Sequence, residues 1–291
     1  MFKKNQIKII IYMFVWLASY PKSGNTLTRS LFSSYFFSED GNFSLNLIEN
    51  IKQFPDFAIF NKLNIDTKNE KEVIRNYLNA QSLINIKEQT QFLKTHSYLF
   101  NIENNPFTDL QNTLGVIYIV RDPRNVVLSA SHHYQETCEK TVYHMTKGHV
   151  IGKNDGIKPI VYCGTWSGNF NSWKSFKQVD RYLLIKYEDL IKDKESYFYK
   201  MLEFIHMLKK VDFVLDKKKF YNTLESTNFE NLQNLEKKYG FKESMKNKKT
   251  GKKIKFFNSG KNTNWEDTLD NKLRIQIEEA FKKEMIELNY L

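Results

Sequence analysis

An apolar run near the start of the chain leads into a tight turn with one lysine, and then into a helical pattern that begins near Asn25. The first turn of a helix has backbone N–H groups without partners and carries the positive end of the helix dipole. Lys22 and the hydroxyls of Ser23 and Thr26 can point at the same place. The segment therefore predicts a site for an anion such as phosphate or sulfate.

A purely structural turn is the alternative interpretation of this segment. Gly24 would then supply only a positive φ angle, and Lys22 would be solvated. A Walker A loop is disfavoured, because that loop has a glycine, four residues and then Gly-Lys-Ser/Thr. Here the lysine precedes the glycine and the loop is shorter.

A second segment places arginine directly after a strand. Val116–Val120 is a continuous apolar run, typical of a strand buried on both faces of a parallel sheet. Arg121 and Arg124 follow, and Pro123 fits the first turn of the next helix. The chain has only six arginines among its 44 basic residues. Their rigid donor forks suit phosphate, whereas the structural alternative is an ion pair with Asp122.

The best candidate for an acid–base group lies between these two segments. Residues 91–96 read Gln-Phe-Leu-Lys-Thr-His, which predicts a short strand that ends in a polar cluster with Lys94 and His96. Ligands of α/β folds bind at strand C-termini. Neutral imidazole has a pKa suited to removing a proton near physiological pH. His132 and His133 are rival candidates, or else residues of a helix face.

Taken together, these segments resemble the PAPS-dependent sulfotransferases, most closely the cytosolic type. Tyr20–Thr26 is similar to the family's phosphosulfate loop, usually Tyr-Pro-Lys-Ser-Gly-Thr-Thr. In the family an arginine at a strand end and a serine eight residues later bind the 3′-phosphate, and Arg121 and Ser129 have that spacing. For the phosphosulfate loop, the resemblance implies donor contacts by Lys22, Ser23, Gly24, Asn25 and Thr26.

The same resemblance implies the catalytic roles. The histidine of the family's Lys-Thr-His segment is the general base, which corresponds to His96. It would take the proton of an acceptor hydroxyl as that hydroxyl attacks sulfur in line with the departing phosphate. Lys22 and Lys94 would stabilise the charge on the bridging oxygen, by analogy with phosphoryl transfer.

Two shorter matches imply contacts with the adenine. Residues 181–190 read as a strand that leads into the family's Tyr-Glu-Asp turn, in which Tyr187 is the matching ring. The two acids after it could equally cap the next helix. Residues 226–230 are similar to the family's Thr-Ser-Phe segment, with Thr227 and Phe229 as the matching positions, and a plain helix N-terminus is the alternative.

Residues 257–265 take the place of the family's Arg-Lys-Gly loop, which closes over the 3′-phosphate and precedes a tryptophan. Gly260 and Trp265 match this pattern, but Asn258 and Ser259 stand where the charged pair is expected. The resemblance implies lid contacts by Ser259, Gly260 and Lys261. Nearby lysines could also supply charge, namely Lys248, Lys249, Lys252, Lys253 and Lys255. Lysine lacks the bidentate geometry of arginine, so we expect weaker and more salt-sensitive donor binding.

The predicted fold class is α/β. A chain of 291 residues with 41% apolar content can bury a substantial core. We expect one sulfotransferase domain over residues 1–291, with a mainly parallel central sheet flanked by helices, the P-loop-NTPase-like sulfotransferase fold. Strands are predicted near 10–19, 91–95, 116–120 and 181–187. Helices are predicted over Asn25–Phe37, Pro123–Tyr134, Cys163–Val179, Glu195–Leu208 and Asp267–Leu288.

The formal charge of +11 fits an anionic donor, but the lysines are scattered and no nucleic-acid module is recognisable, so no nucleic-acid partner is expected. The apolar run at 9–20 is too short to span a bilayer and is expected to be the first central strand, without a transmembrane segment. Cys138 and Cys163 have neither ligand nor disulfide spacing, which predicts a reduced compartment. The resemblance implies a cytoplasmic location, since PAPS is made in the cytosol. No metal is expected.

The predicted reaction moves a sulfonate group from PAPS to a hydroxyl or amine and leaves adenosine 3′,5′-bisphosphate (PAP). The acceptor, whether a small molecule, a carbohydrate or a lipid, would lie near residues 38–90 and 135–162. A homodimer is left open. The alternatives are a small-molecule P-loop kinase, for which no magnesium-binding acids stand out, and a non-catalytic nucleotide-binding relative.

Overall fold

The computed structural model describes residues 13–85, 91–153, 155–247, 250–258 and 264–291. Its strands are β1 (Phe14–Ser19), β2 (Lys52–Gln53), β3 (Gln91–Thr95), β4 (Asn101–Ile102), β5 (Asn105–Pro106), β6 (Thr113–Val120), β7 (His149–Ile151), β8 (Val161–Gly164) and β9 (Tyr182–Lys186). The central sheet has the order β2-β3-β1-β6-β9, and all its pairs are parallel. Two small antiparallel ladders, β4–β5 and β7–β8, lie outside it.

Helices cover both faces of this sheet. They are α1 (Asn25–Phe37), α2 (Phe57–Lys62), α3 (Glu70–Arg75), α4 (Tyr77–Ile84), α5 (Pro123–Tyr134), α6 (Cys138–Lys147), α7 (Trp166–Trp173), α8 (Tyr187–Lys192), α9 (Lys194–Lys209), α10 (Lys217–Ser226), α11 (Phe229–Tyr239), α12 (Trp265–Thr268), α13 (Asn271–Ala280) and α14 (Lys282–Glu287). In the part of the chain described, none of them is long and apolar enough to cross a membrane.

The central strand β1 is buried on both faces, as its uninterrupted apolar sequence predicts. Val15 and Leu17 belong to the hydrophobic cluster that includes Phe32 of α1. Trp16 points to the opposite face, where its ring centroid lies 5.9 Å from that of Trp173 in α7. This alternation places one half of the core on each side of the sheet.

The predicted helices Asn25–Phe37 and Pro123–Tyr134 have the observed bounds of α1 and α5. The predicted helix over Cys163–Val179 is wrong at its start, because residues 161–164 form β8. Gly164 adopts a positive φ of 65°, and the Thr165 side chain then caps α7 by accepting from the Gly168 N–H.

The last predicted helix, Asp267–Leu288, is also wrong, since this part of the chain forms three shorter helices, α12, α13 and α14. The side chain of Asp270 accepts from the N–H groups of Lys272 and Leu273 and so begins α13 anew. Because aspartate hydrogen-bonds local backbone groups, it favours such caps over helix interiors.

The parallel topology places the functional segments at one edge of the sheet. Strand β1 leads into the loop with Lys22, β3 into His96, β6 into Arg121 and β9 into Tyr187. All four strands run in the same direction, so their carboxyl ends lie together. The predicted α/β class with a mainly parallel sheet is confirmed.

Candidate active site

The loop between β1 and α1 has the shape of an anion cradle. Lys22 has a φ of 66° and Gly24 a φ of 100°, and Gly24 precedes α1 without any side-chain cap on the helix. A Cβ atom at Gly24 would lie 2.3 Å from Cδ2 of Tyr187, so only glycine fits against that ring. The first-turn N–H groups of α1 are therefore left for a ligand.

Two polar side chains of this loop have different surroundings. The Asn25 amide donates to the Leu17 carbonyl over 2.9 Å and to the Ser19 hydroxyl over 3.2 Å, which ties the helix to the end of β1. Ser23 is fully buried, and its hydroxyl has no hydrogen-bond partner among the described residues. Buried hydroxyls are normally paired, so this oxygen is suited to a bound ligand.

Arg121 connects the two predicted anion segments. Its Nη1 donates to the carbonyl of Lys22 over 3.2 Å, and its guanidinium lies 4.5 Å from the ring centroid of Tyr187. Its Nε is buried and has no partner in the described residues. Arg121 thus keeps a free donor, as a phosphate site requires.

Arg124 instead forms the ion pair that was the alternative for this turn. Its Nη2 lies 2.7 Å from Oδ2 of Asp122 and its Nη1 lies 2.6 Å from Oε1 of Glu278. Its Cζ lies 3.9 Å from the ring centroid of Trp265. The two arginines of one turn therefore differ in role. Arg124 connects α5 to the C-terminal helices, whereas Arg121 faces the loop with Lys22.

His96 follows β3 directly and is held in one tautomer. Its Nδ1 lies 2.9 Å from the carbonyl oxygen of Ser19, which can only accept, so Nδ1 carries the proton. Nε2 is then left with a free lone pair. Burial, together with the nearby charge of Lys94, lowers the pKa of His96 to about 3. The imidazole is consequently neutral at physiological pH.

The two lysines of the site are also perturbed. Burial lowers the pKa of Lys22 to about 7, Glu243 opposes this shift, and Lys94 adds to it. The Nζ of Lys22 lies 4.1 Å from the ring centroid of Phe256. Burial likewise lowers the pKa of Lys94. A bound anion would reverse these shifts, because it favours the charged form of lysine.

Glu243 is a site residue that the motifs did not indicate. Its carboxylate accepts from Arg29 Nη1 at 2.5 Å and from Thr26 Oγ1 at 3.4 Å, and it lies 3.6 Å from Lys94 Nζ. Burial alone would raise the pKa of Glu243, but Lys94 and Arg29 lower it to about 2. Arg29 is itself buried and also donates to two main-chain carbonyls.

One cavity of about 1040 Å³ joins these groups. Among the predicted site residues, its walls include Lys22, Gly24, Asn25, Thr26, Lys94, His96, Arg121, Ser129, Tyr187, Thr227 and Phe229. Ser23 is fully buried and is not among the lining residues. Ser259, Gly260 and Lys261 lie outside the described residues, so their predicted lid contacts stay predictions.

Two alternatives that the sequence left open concern residues of the cavity wall, namely the segment with Thr227 and the rival histidines. The Thr227 hydroxyl donates to the carbonyl of Thr223 at the end of α10, and Asn228 caps α11, so the helix-start interpretation of this segment is also realised. His132 and His133 both line the cavity. Burial lowers the pKa of His133 to about 3, so this second neutral imidazole stays a rival base.

Within the described ranges, no group of three or more His, Cys, Asp or Glu side chains is arranged to hold a metal ion. The chemistry of the donor set fits a multiply charged anion instead. The unpartnered Ser23 hydroxyl and Arg121 Nε, the uncapped start of α1 and the two lysines all offer donors. These groups fit a nucleotide with more than one phosphate.

Comparisons with known proteins agree with this geometry. Residues 14–289 match the family model of the sulfotransferase domain. The chain is 24% identical to luciferin sulfotransferase of Photinus pyralis over 278 residues, which are 92% of this chain and 70% of that protein. Its fold is similar to that of a mouse sulfotransferase complexed with PAP, with a TM-score of 0.58 and 18% identity over 94% of this chain and 85% of that one. It is also similar to retinol dehydratase in complex with androsterone and PAP, with a TM-score of 0.60 and 18% identity over 94% of this chain and 80% of that one. The chain belongs to the sulfotransferase family and is a PAPS-dependent enzyme.

Proposed function

We propose that this sulfotransferase, one domain over residues 1–291, transfers a sulfonate group to a hydroxyl of a small apolar acceptor, with His96 as the general base. The observation that carries this proposal is the convergence of His96, Lys22, Lys94 and Arg121 on one cavity. The proposed donor sites, the proposed base and space for an acceptor therefore share one cavity, as direct transfer between two bound substrates requires.

The fixed tautomer of His96 supports its role. The acceptor oxygen forms a bond to sulfur while the bond from sulfur to the bridging oxygen breaks, and the acceptor proton goes to Nε2 of His96. PAP then carries the negative charge of the leaving oxygen. A pKa of about 3 makes this imidazole a weak base before the donor arrives. Negative charge of the bound donor would raise that pKa toward the useful range.

The cationic groups supply the electrostatic part of the proposal. Lys22 and Lys94 stabilise the charge that develops on the bridging oxygen, with Lys22 and Thr26 at the 5′ end of the nucleotide. Arg121 and Ser129 bind the 3′-phosphate, while Tyr187, Thr227 and Phe229 lie beside the adenine. Every one of these side chains lines the cavity.

The walls near the histidines favour an apolar acceptor over a carbohydrate. Besides His132, His133 and Tyr134, the cavity lining includes the apolar side chains of Leu128, Ile151, Val161, Met245 and Phe256. Aromatic and aliphatic walls bind rings and chains, whereas a sugar needs many hydrogen-bonding groups. The relatives' names mention luciferin, androsterone and retinol, which also favours a small apolar acceptor for this chain. We also propose a cytoplasmic location, because PAPS is made there and Cys138 and Cys163 are both free thiols.

Incubation with sulfur-labelled PAPS and a panel of phenols, sterols and sugars tests the function. We expect labelled product and PAP with phenols or sterols, and none with sugars. A thermal-shift titration separates the alternatives: PAP at a hundredfold excess over Kd should stabilise the protein by about 2.7 kcal/mol. Stronger stabilisation by ATP with magnesium would indicate a kinase, and PAP binding without any transfer would indicate a non-catalytic protein.

A further inference from the structure

The anion site already contains an anion that belongs to the protein. The Glu243 carboxylate accepts from Thr26 and Arg29 of α1 and lies beside Lys94 of β3. The proposed function gives Thr26 and Lys94 to the 5′ end of the donor. Carboxylate, phosphate and sulfonate all bind through oxygen atoms to the same charged donors. The side chain and the donor would therefore use the same subsite.

We propose that Glu243 is a built-in competitor of PAPS: its carboxylate fills the subsite of the 5′-phosphosulfate, and the donor binds only when that carboxylate is displaced. This inference rests on the proposed function, since it takes the Lys22 loop as the 5′ end of the donor site. It adds a residue that lowers donor affinity and so sets the donor concentration at which the enzyme works.

Displacement is required because the two anions cannot share the subsite. The Glu243 carboxylate already occupies the positions next to Thr26 Oγ1 and Lys94 Nζ that oxygen atoms of the donor would take, so the two groups exclude each other. In the free protein the carboxylate is ionised, since Lys94 and Arg29 hold the pKa of Glu243 at about 2. The carboxylate must therefore move when a phosphosulfate group approaches Lys94 and Thr26.

The movement needs only the side chain, because the surrounding backbone is anchored. Glu236 of α11 accepts from the Ser244 hydroxyl and from the N–H groups of Phe256 and Phe257, at 2.7, 2.7 and 2.9 Å. The Glu243 side chain remains 30% exposed, whereas that of Arg29 is 6% exposed. A change of side-chain rotamer can therefore turn the carboxylate into the cavity.

Arg29 tolerates the loss of this partner. Its Nη2 keeps its hydrogen bonds to the carbonyls of Ile48 and Ile51, both at 3.1 Å. Nη1 becomes free to contact the incoming anion. The incoming anion then takes the place of the carboxylate beside Nη1, so displacement does not leave the guanidinium without an anionic partner.

Isothermal titration with two nucleotides tests the proposal. Glu243→Gln keeps the shape of the side chain and removes its charge, and Glu230→Gln is the matched control, since Glu230 lines the same cavity and makes no ion pair among the described residues. We expect PAP to bind about tenfold more tightly to Glu243→Gln, and to bind Glu230→Gln as it binds the unmodified protein. Adenosine 3′-phosphate lacks the 5′ group, so its Kd should be the same in all three proteins.

If the unmodified protein binds PAP and Glu243→Gln binds it equally or more weakly, the inference about Glu243 is overturned while the proposed donor site stands. Absence of PAP binding by every variant overturns the proposed donor site as well. If Glu243→Gln does not fold, a crystal structure of the unmodified protein with PAP decides the question. A Glu243 carboxylate still within hydrogen-bond distance of Thr26 and Arg29 would contradict displacement, and a carboxylate turned away from them would support it.

Discussion

The guanidinium of Arg121 donates a 3.2 Å hydrogen bond to the main-chain carbonyl of Lys22, across 99 residues of sequence. The two segments that the sequence marks as anion sites therefore form one wall of one cavity. A single nucleotide with phosphates at both ends of its ribose can contact both. Had these segments faced different sides of the sheet, a common donor would have been impossible.

Replacement of Arg121 should affect only nucleotides with a 3′-phosphate. Arg121→Ala should weaken PAP binding by about 10- to 100-fold, because a hydrogen bond to a charged group contributes about 1.5–3 kcal/mol. Binding of adenosine 5′-phosphate should stay within twofold of the unmodified protein. Lys22→Ala should show the reverse preference, which calorimetry with the two ligands can measure. Equal losses for both ligands in both variants would contradict the assignment of the two ends.

Removal of His96 should abolish turnover without loss of the donor. His96→Ala should lower kcat by about 10²- to 10⁴-fold, the usual contribution of a general base, while the Kd for PAP changes less than threefold. His133→Ala is the matched control, since that imidazole is also neutral and lines the same cavity. A larger kcat loss in the control would transfer the role of base to His133.

Donor binding should be coupled to proton uptake by Lys22. In the free protein the pKa of Lys22 is about 7, and a bound phosphate favours the charged ammonium and raises that pKa. The bound state then holds more protons above pH 7, so PAP affinity should fall between pH 7 and 9, by at most about tenfold per pH unit for one group. Phosphate monoesters are fully ionised in this range, since their second pKa is about 6.

Titrations of PAP in buffers of different ionisation enthalpy would measure the proton uptake directly. In Lys22→Arg the side chain at this position is charged at every pH, so PAP binding should no longer include the proton uptake due to Lys22. Any uptake that remains in this variant belongs to the other cavity groups whose pKa values burial lowers, namely Lys94, His96 and His133. Unchanged uptake in Lys22→Arg would show that Lys22 is already fully charged before the donor binds.

A methyl group at Gly24 should disturb the loop and the adenine side together. Its Cβ would lie 2.3 Å from the Tyr187 ring, and the φ of 100° is itself unfavourable for alanine. We expect Gly24→Ala to destabilise the protein by about 1–3 kcal/mol and to weaken PAP binding. Gly251→Ala is the control, because Gly251 also has a positive φ, of 68°, but no atom lies within 4 Å of its Cβ position. Chemical denaturation and PAP titration of both variants separate the cost of the positive φ angle, which both share, from the collision with the Tyr187 ring, which only Gly24→Ala has.

Local sequence signals were sufficient for the parts of the site that follow strands. Asp122 caps α5 and Pro123 occupies its first turn, so the start of that helix and the position of Arg121 before it could be predicted from neighbouring residues. The same holds for α1, which begins directly after Gly24. The helix predicted over 163–179 failed because its first residues form a strand that ends at Gly164. The helix predicted over 267–288 failed because the chain leaves the helical conformation at Asp270 and again at Phe281.

Glu243 could not have been predicted in this way. It lies in a lysine-rich stretch without periodicity, and its partner Arg29 is 214 residues away. Arg29 looks, from sequence, like an ordinary residue of α1. Only the tertiary packing of residues 241–247 and 250–258 near the loop after β1 gives the carboxylate its position, and such long-range pairings leave no local pattern.

The carbonyl of Ser19 that orients His96 ends the same strand that begins the Lys22 loop. The proposed base and the proposed donor cradle are therefore both tied to the last residue of β1. A substitution that moves the end of this strand should consequently displace the imidazole and the Lys22 loop together.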